Sequence, residues 1–209
     1  MTHYSQLLLA CLIWLMPTAL LSDPQQDIAD LTVRAKAGDA AAQYSLGTAY
    51  DSGHGVEKDM LTAALWYEKA AKQDNADAQF NLAVLYDEGE GVRQDYRQSV
   101  YWYEQAAEKN MPEAYNNLGL MYVNGHGVEQ DYARAFSYFK KAAQKQFADA
   151  QYNLGLLYQS GLGTSQNLLL AFKQFSRART KHRGAAEAYR ALFDHLSPQQ
   201  RKSALSGLN

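Results

Sequence analysis

The chain has 209 residues, 47% of them apolar, and a formal net charge of −2 at pH 7. That leaves room for one domain or a short repeat array with a sizeable core, and it excludes disorder as the default state. The slightly acidic balance argues against the cationic stripe that a nucleic-acid binder uses to neutralise phosphates, so no nucleic acid is expected as a partner.

Residues 1–22 contain no Asp, Glu, Lys or Arg. An apolar run from Leu7 to Met16 is followed by Pro17 and by small residues ending at Ser22. The run is shorter than the ~20 residues that cross a bilayer, and an apolar stretch, a breaker and small residues are the pattern of a cleaved secretory signal peptide. The expectation is an exported protein, periplasmic or secreted, with no membrane span in the mature chain. Leu8-Leu9-Ala10-Cys11 is similar to a bacterial lipoprotein box but reads as part of the apolar run. Cys11 is the sole cysteine. A mature chain cut near Ser22 would have no disulfide, thiol nucleophile or thiolate ligand, and packing alone must hold it together.

From here the chain repeats itself with a step of 36 residues: Leu46, Leu82, Leu118 and Leu154 form one column, and Tyr50, Tyr86, Tyr122 and Tyr158 another. Ala42, Ala78, Ala114 and Ala150 agree, as do Gly53, Gly89, Gly125 and Gly161, then Gly55, Gly91, Gly127 and Gly163 two residues later. Periods of this length imply a solenoid whose units fold only against their neighbours. Residues 23–37 are expected to cap it as a half-repeat, because Ala35 stands one step before Ala71. The units are placed at residues 38–73, 74–109, 110–145 and 146–183, with capping helices over 184–209.

Within a unit, Ala42, Leu46 and Tyr50 share one face of a first helix, A. Ala63, Trp66, Tyr67, Ala70 and Ala71 share one face of a second, B. The Gly-x-Gly pair between them supplies positive φ at low cost, and Asp59, Asp95, Asp131 and Asn167 stand where helix B needs an N-cap. Helix B is expected to end at Gly38, Asp74, Asn110 and Gln146, of which Gln146 suits a left-handed end least. Gly47, Gly119 and Gly155 lie mid-helix, where Gly costs about 1 kcal/mol relative to Ala, and that repeated cost points to close helix contacts. Beyond the fourth unit, Ala188, Tyr189 and Leu192 read as the start of a further A helix after a longer loop. Ser197-Pro198-Gln199-Gln200 reads as a capping box opening a last helix.

The segments Ala42-Gln43-Tyr44-Ser45-Leu46-Gly47, Gly53-His54-Gly55-Val56 and Trp66-Tyr67-Glu68-Lys69-Ala70-Ala71 resemble the Sel-one-like repeat, a longer relative of the tetratricopeptide repeat. The resemblance covers about Gly38 to Ala178. It implies an all-α, right-handed α/α superhelical solenoid of antiparallel helix pairs with the A helices on the concave side. It also implies an adaptor role in protein complexes, often after export in bacteria. Some relatives are cysteine-rich and penicillin-binding or β-lactamase-like, so a cell-envelope enzyme or β-lactam binder is one alternative. A periplasmic sensor that restrains a membrane receptor is another.

Helix A carries a second face. In unit two it reads Asp77, Asn81, Val84, Glu88; in unit three Glu113, Asn117, Leu120, Asn124; in unit four Asp149, Asn153, Leu156, Ser160. Amides have donors and an acceptor, so a row of them can bond an extended peptide backbone in both directions. The expected partner is another protein or peptide, basic in character, held by Asn81, Val84, Asn117, Leu120, Asn153, Leu156, Asp77, Glu113 and Asp149. The competing reading is structural: acids in a first helical turn suit the macrodipole, and the Asn column can tie one unit to the next. His54 and His126 recur in alternate loops, too far apart to share a metal. Arg177, Arg179, Lys181, His182 and Arg183 form a basic cluster, read chiefly as cations at a helix C-terminus. Catalysis needs unlike groups converging on one point, whereas these columns repeat similar groups along an axis. No enzyme activity, cofactor, metal or small-molecule substrate is therefore expected.

Overall fold

The computed structural model describes residues 24–206. The expected signal peptide, residues 1–22, lies outside the described residues, as does the end of the C-terminal cap, 207–209. The described residues form helices and turns only. A capping helix α1 (Pro24–Lys36) precedes α2 (Ala40–Ser52), α3 (Met60–Ala71), α4 (Ala76–Glu88), α5 (Tyr96–Glu108), α6 (Pro112–Asn124), α7 (Tyr132–Gln144), α8 (Ala148–Ser160) and α9 (Leu168–Ala178). Two further helices, α10 (Arg183–His195) and α11 (Pro198–Leu205), close the array. The A helices are α2, α4, α6 and α8; the B helices are α3, α5, α7 and α9.

Local chemistry sets these boundaries. Asp59, Asp95, Asp131 and Asn167 each accept backbone N–H bonds as N-caps of the B helices, and Gly53, Gly89, Gly125 and Gly161 end the A helices in the left-handed conformation. Asp74, Asn110 and Gln146 follow the B helices at φ of 63°, 63° and 62°. Gln146, expected to fit least, is held there as firmly as the others. The Gln146 N–H donates to the Ala143 carbonyl at 3.0 Å and the Phe147 N–H to that of Ala142 at 3.2 Å, bonds that occupy carbonyls otherwise orphaned at a helix end.

From α1 to α10 each helix packs on the next, so every B helix lies between its own A helix and the helix that follows it. Tyr67, Tyr103, Phe139 and Phe175 occupy the same column at 0–1% exposure and form the middle of the core. The mid-helix glycines make room for them. A Cβ at Gly47 would stand 2.7 Å from the Tyr67 ring, and at Gly119 and Gly155 it would stand 2.5 Å from Phe139 and Phe175. The second glycine of three of the loops has a role beyond the turn: Gly91, Gly127 and Gly163 lie directly on the backbone of Met60, Tyr96 and Tyr132, the first residues of the preceding B helices. They set how closely one unit approaches the next.

The C-terminal cap departs from expectation. Helix α10 begins at Arg183, five residues before Ala188, and no longer loop precedes it. The reason is His182, whose Nδ1 accepts the Ala185 N–H at 3.1 Å as an N-cap while its ring stacks on Tyr152 at 4.2 Å. The capping box of Ser197 and Gln200 opens α11 as expected, and α11 folds back onto α9.

Candidate functional site: the face of the A helices

The columns singled out on the A helices come into contact through their amides. Asn153 Nδ2 donates to Asn116 Oδ1 at 3.0 Å, joining α8 to α6. Asn116 Nδ2 in turn donates to Asn117 Oδ1 at 3.3 Å, and Asn117 Nδ2 donates to the Tyr103 hydroxyl of the preceding B helix at 2.9 Å. Asn81 stands near enough to the hydroxyl of Tyr67 to influence it. The Tyr67 hydroxyl also donates to Asp51 at 3.1 Å, and burial pushes it up to about 12, so it remains a donor at any physiological pH. In the next unit the column changes to Phe139, which offers no hydroxyl, and Asn153 turns to Asn116 instead. The Asn column therefore links neighbouring units as well as facing outwards, and each amide keeps only part of its bonding capacity for a ligand.

The rest of the face is more open. Leu120 and Leu156 are each 37% exposed, large for aliphatic side chains on a helix. Asp77 and Asp149 are exposed in the first turns of α4 and α8, Glu113 is half-buried in that of α6, and Val84 is half-buried. The four A helices carry Asp51, Asp77, Asp87, Glu88, Glu113 and Asp149 but no Lys, Arg or His. Burial raises the Asp87 carboxyl above its ordinary value.

Two parts of this surface went unnoticed in the column pattern. Gln43, Gln79 and Gln151 are buried and donate Nε2 to the carbonyls of Ala35, Ala71 and Ala143 across the unit boundary. Unit three inverts the order: Tyr115-Asn116 stands where the others have Gln-Tyr or Gln-Phe. That inversion places Asn116, 6% exposed, in the position from which Tyr44, Phe80 and Tyr152 tilt onto Tyr67, Tyr103 and Phe175. A departure from the repeat, rather than the repeat itself, was the available signal.

A double-mutant cycle tests the link. Tyr103→Phe and Asn117→Ala are each expected to cost about 0.5–1.5 kcal/mol. Together they should cost less than their sum by about 1 kcal/mol, read as urea midpoints, because either change removes the same bond. Additive losses would show that the bond contributes nothing.

The basic cluster divides. Arg179 lies over the Tyr189 ring at 4.6 Å, Arg183 pairs with Glu187 at 3.1 Å, and His182 caps α10. Arg177 and Lys181 instead line a cavity between units three and four. Of the loop histidines, His126 stacks on Tyr96 at 4.4 Å and His54 is exposed. No group of three or more His, Cys, Asp or Glu that could hold a metal is found among the described residues. No helix among them is long and apolar enough to cross a membrane.

Four successive segments, residues 40–75, 76–111, 112–147 and 148–180, match the Sel1 repeat. No curated protein sequence matches the chain significantly. Solved structures do. The chain is similar to a protective antigen of uropathogenic Escherichia coli with an SLR fold, at 36% identity and a TM-score of 0.73, over 76% of this chain and 34% of that one. It is similar to a Sel1 repeat protein from Oxalobacter formigenes at 32% identity and a TM-score of 0.73, over 80% of this chain and 66% of that one. A sel1 repeat protein from Klebsiella pneumoniae matches at 26% identity and a TM-score of 0.56, over 88% and 90% of the two chains. The chain thus spans about a third of the length of the first of these and just under two thirds of the second. With the repeat filling most of its length and the helix pairs stacked as that repeat requires, the protein belongs to the Sel1 repeat family, whose repeats mediate protein interactions.

Proposed function

We propose that this protein is an exported scaffold that binds a basic, extended segment of a partner protein along the face of its A helices. One observation carries the reading. The only formal charges on α2, α4, α6 and α8 are carboxylates, and they flank Leu120, Leu156 and a row of amides. The amides bond a peptide backbone, the leucines take its apolar side chains, and the carboxylates select Lys and Arg. A cation arriving beside Asp87 would also stabilise its ionised carboxylate against the desolvation that now raises it. Exposed charges more than ~8 Å apart are largely screened at physiological ionic strength, so capture should weaken as salt rises.

The test compares affinity capture from the envelope fraction by the wild type and by two surface variants, Leu120→Ser/Leu156→Ser and Asp77→Lys/Asp149→Lys. Each variant loses some stability, from partly buried leucine surface or from a cation placed at a helix N-terminus, so circular dichroism melts confirm that both are folded at the temperature of capture. A partner captured by the wild type and lost by both supports the reading; one retained by both overturns it. Export is tested separately by mass spectrometry of the purified protein, whose first residue should lie close to position 23.

A further inference from the structure

The cavity between units three and four, about 590 Å³, is lined by Ala143, Gln144, Gln146, Gln151, Arg177 and Lys181. It holds two cations and three amides and no carboxylate. Asp149, in the first turn of α8, is not part of its wall. The register of the repeat shows what is missing. Lys181 stands two steps after Lys109, and Gln146 two steps after Asp74. At the junction of units one and two, Lys109 Nζ meets Asp74 Oδ1 at 3.5 Å. At the junction of units two and three, the position of Gln144 is held by Glu108, which lines a recess there together with Lys141. Each earlier junction thus supplies a carboxylate against its cations. The last supplies none, and it adds the guanidinium of Arg177 where the first junction has Gln105.

We propose that this cavity is a carboxylate-binding site that takes an acidic side chain of a partner protein. The guanidinium can grip both carboxylate oxygens, Lys181 supplies a point charge, and the amides of Gln146 and Gln151 can donate to the remaining lone pairs. The site is separate from the A-helix face and would hold even if nothing binds there.

The probe is N-acetyl-glutamate N-methylamide, titrated into isotope-labelled protein while the side-chain resonances of Arg177, Gln146 and Gln151 are followed by NMR. Its glutamine analogue and inorganic phosphate serve as comparison arms. The expected result is saturation with a Kd of ~1–10 mM, the weak range suited to a single ion, and no response to the glutamine analogue. The decisive variant is Gln146→Asp, which restores the pairing found at Asp74. Asp74 already holds the same backbone conformation at φ 63°, so the variant should fold and melt no lower than the wild type. It should weaken binding of the probe at least tenfold. Unchanged binding in Gln146→Asp, saturation by phosphate but not by the glutamate derivative, or no saturation in the wild type would each overturn the assignment.

Discussion

Gly127→Ala is expected to lower stability by about 3–4 kcal/mol, the sum of a left-handed residue that is no longer glycine and an overpacked contact. Its φ is 71°, and a Cβ there would overlap the carbonyl of Tyr96, the first residue of the preceding B helix. The atoms it meets are backbone and cannot rotate aside, so the two units must separate. Gly125→Ala is the control. That residue has the same φ of 71°, but its Cβ would find only an ordinary contact, 3.5 Å from Gln130. It should pay the conformational cost alone, about 1–2 kcal/mol. The measurement is the urea midpoint of both variants, and equal midpoints would show that close backbone approach is not what fixes the spacing of units.

Phe139→Ala should be as damaging, at about 3–5 kcal/mol, because the cost of a vacated cavity adds to the lost transfer of a whole ring from water. Phe139, on α7, the helix packed between α6 and α8, is 1% exposed, and its ring lies against Gly119. Gly119→Ala attacks the same contact from the other side, pressing a methyl into the ring, and should cost about 1–3 kcal/mol. Combining Gly119→Ala with Phe139→Leu should recover part of the loss, since a smaller side chain can accommodate the added methyl. Thermal melts of these three variants and of Phe139→Leu alone decide it, and a double variant no better than the sum of its parts would mean that the glycine does not exist to admit the ring.

Most of the fold could be read from the columns because a repeat states the same instruction several times over. Asp59, Asp95, Asp131 and Asn167 cap the B helices as their spacing implied, and Gly119 and Gly155 stand against rings. The tolerance of Gln146 for a left-handed end was less legible, because it depends on two backbone bonds that no side chain announces. The early start of α10 was hidden for a related reason: His182 caps it with a ring nitrogen, outside the usual set of capping residues. The second face of the A helices was legible as a pattern of residues, yet the pattern could not say how far its amides were already engaged. Whether Asn117 serves a ligand or its neighbour turned on a tyrosine in another column, at position 103, and on the loss of that hydroxyl at position 139. The anion cavity was harder still, since it arises from charges that fail to recur.

The main contacts in this array run from each helix to the next as far as α10, and α11 returns only to α9. A gene for such a protein can lengthen or shorten by a whole repeat without redesign, because an inserted unit meets surfaces like those its neighbours already present. The terminal helices would stay where they are needed, at the ends, while the acidic face gained or lost one register of its row. If that face takes a partner segment as proposed, evolution can tune the length gripped, and with it the avidity, independently of the chemistry of each grip.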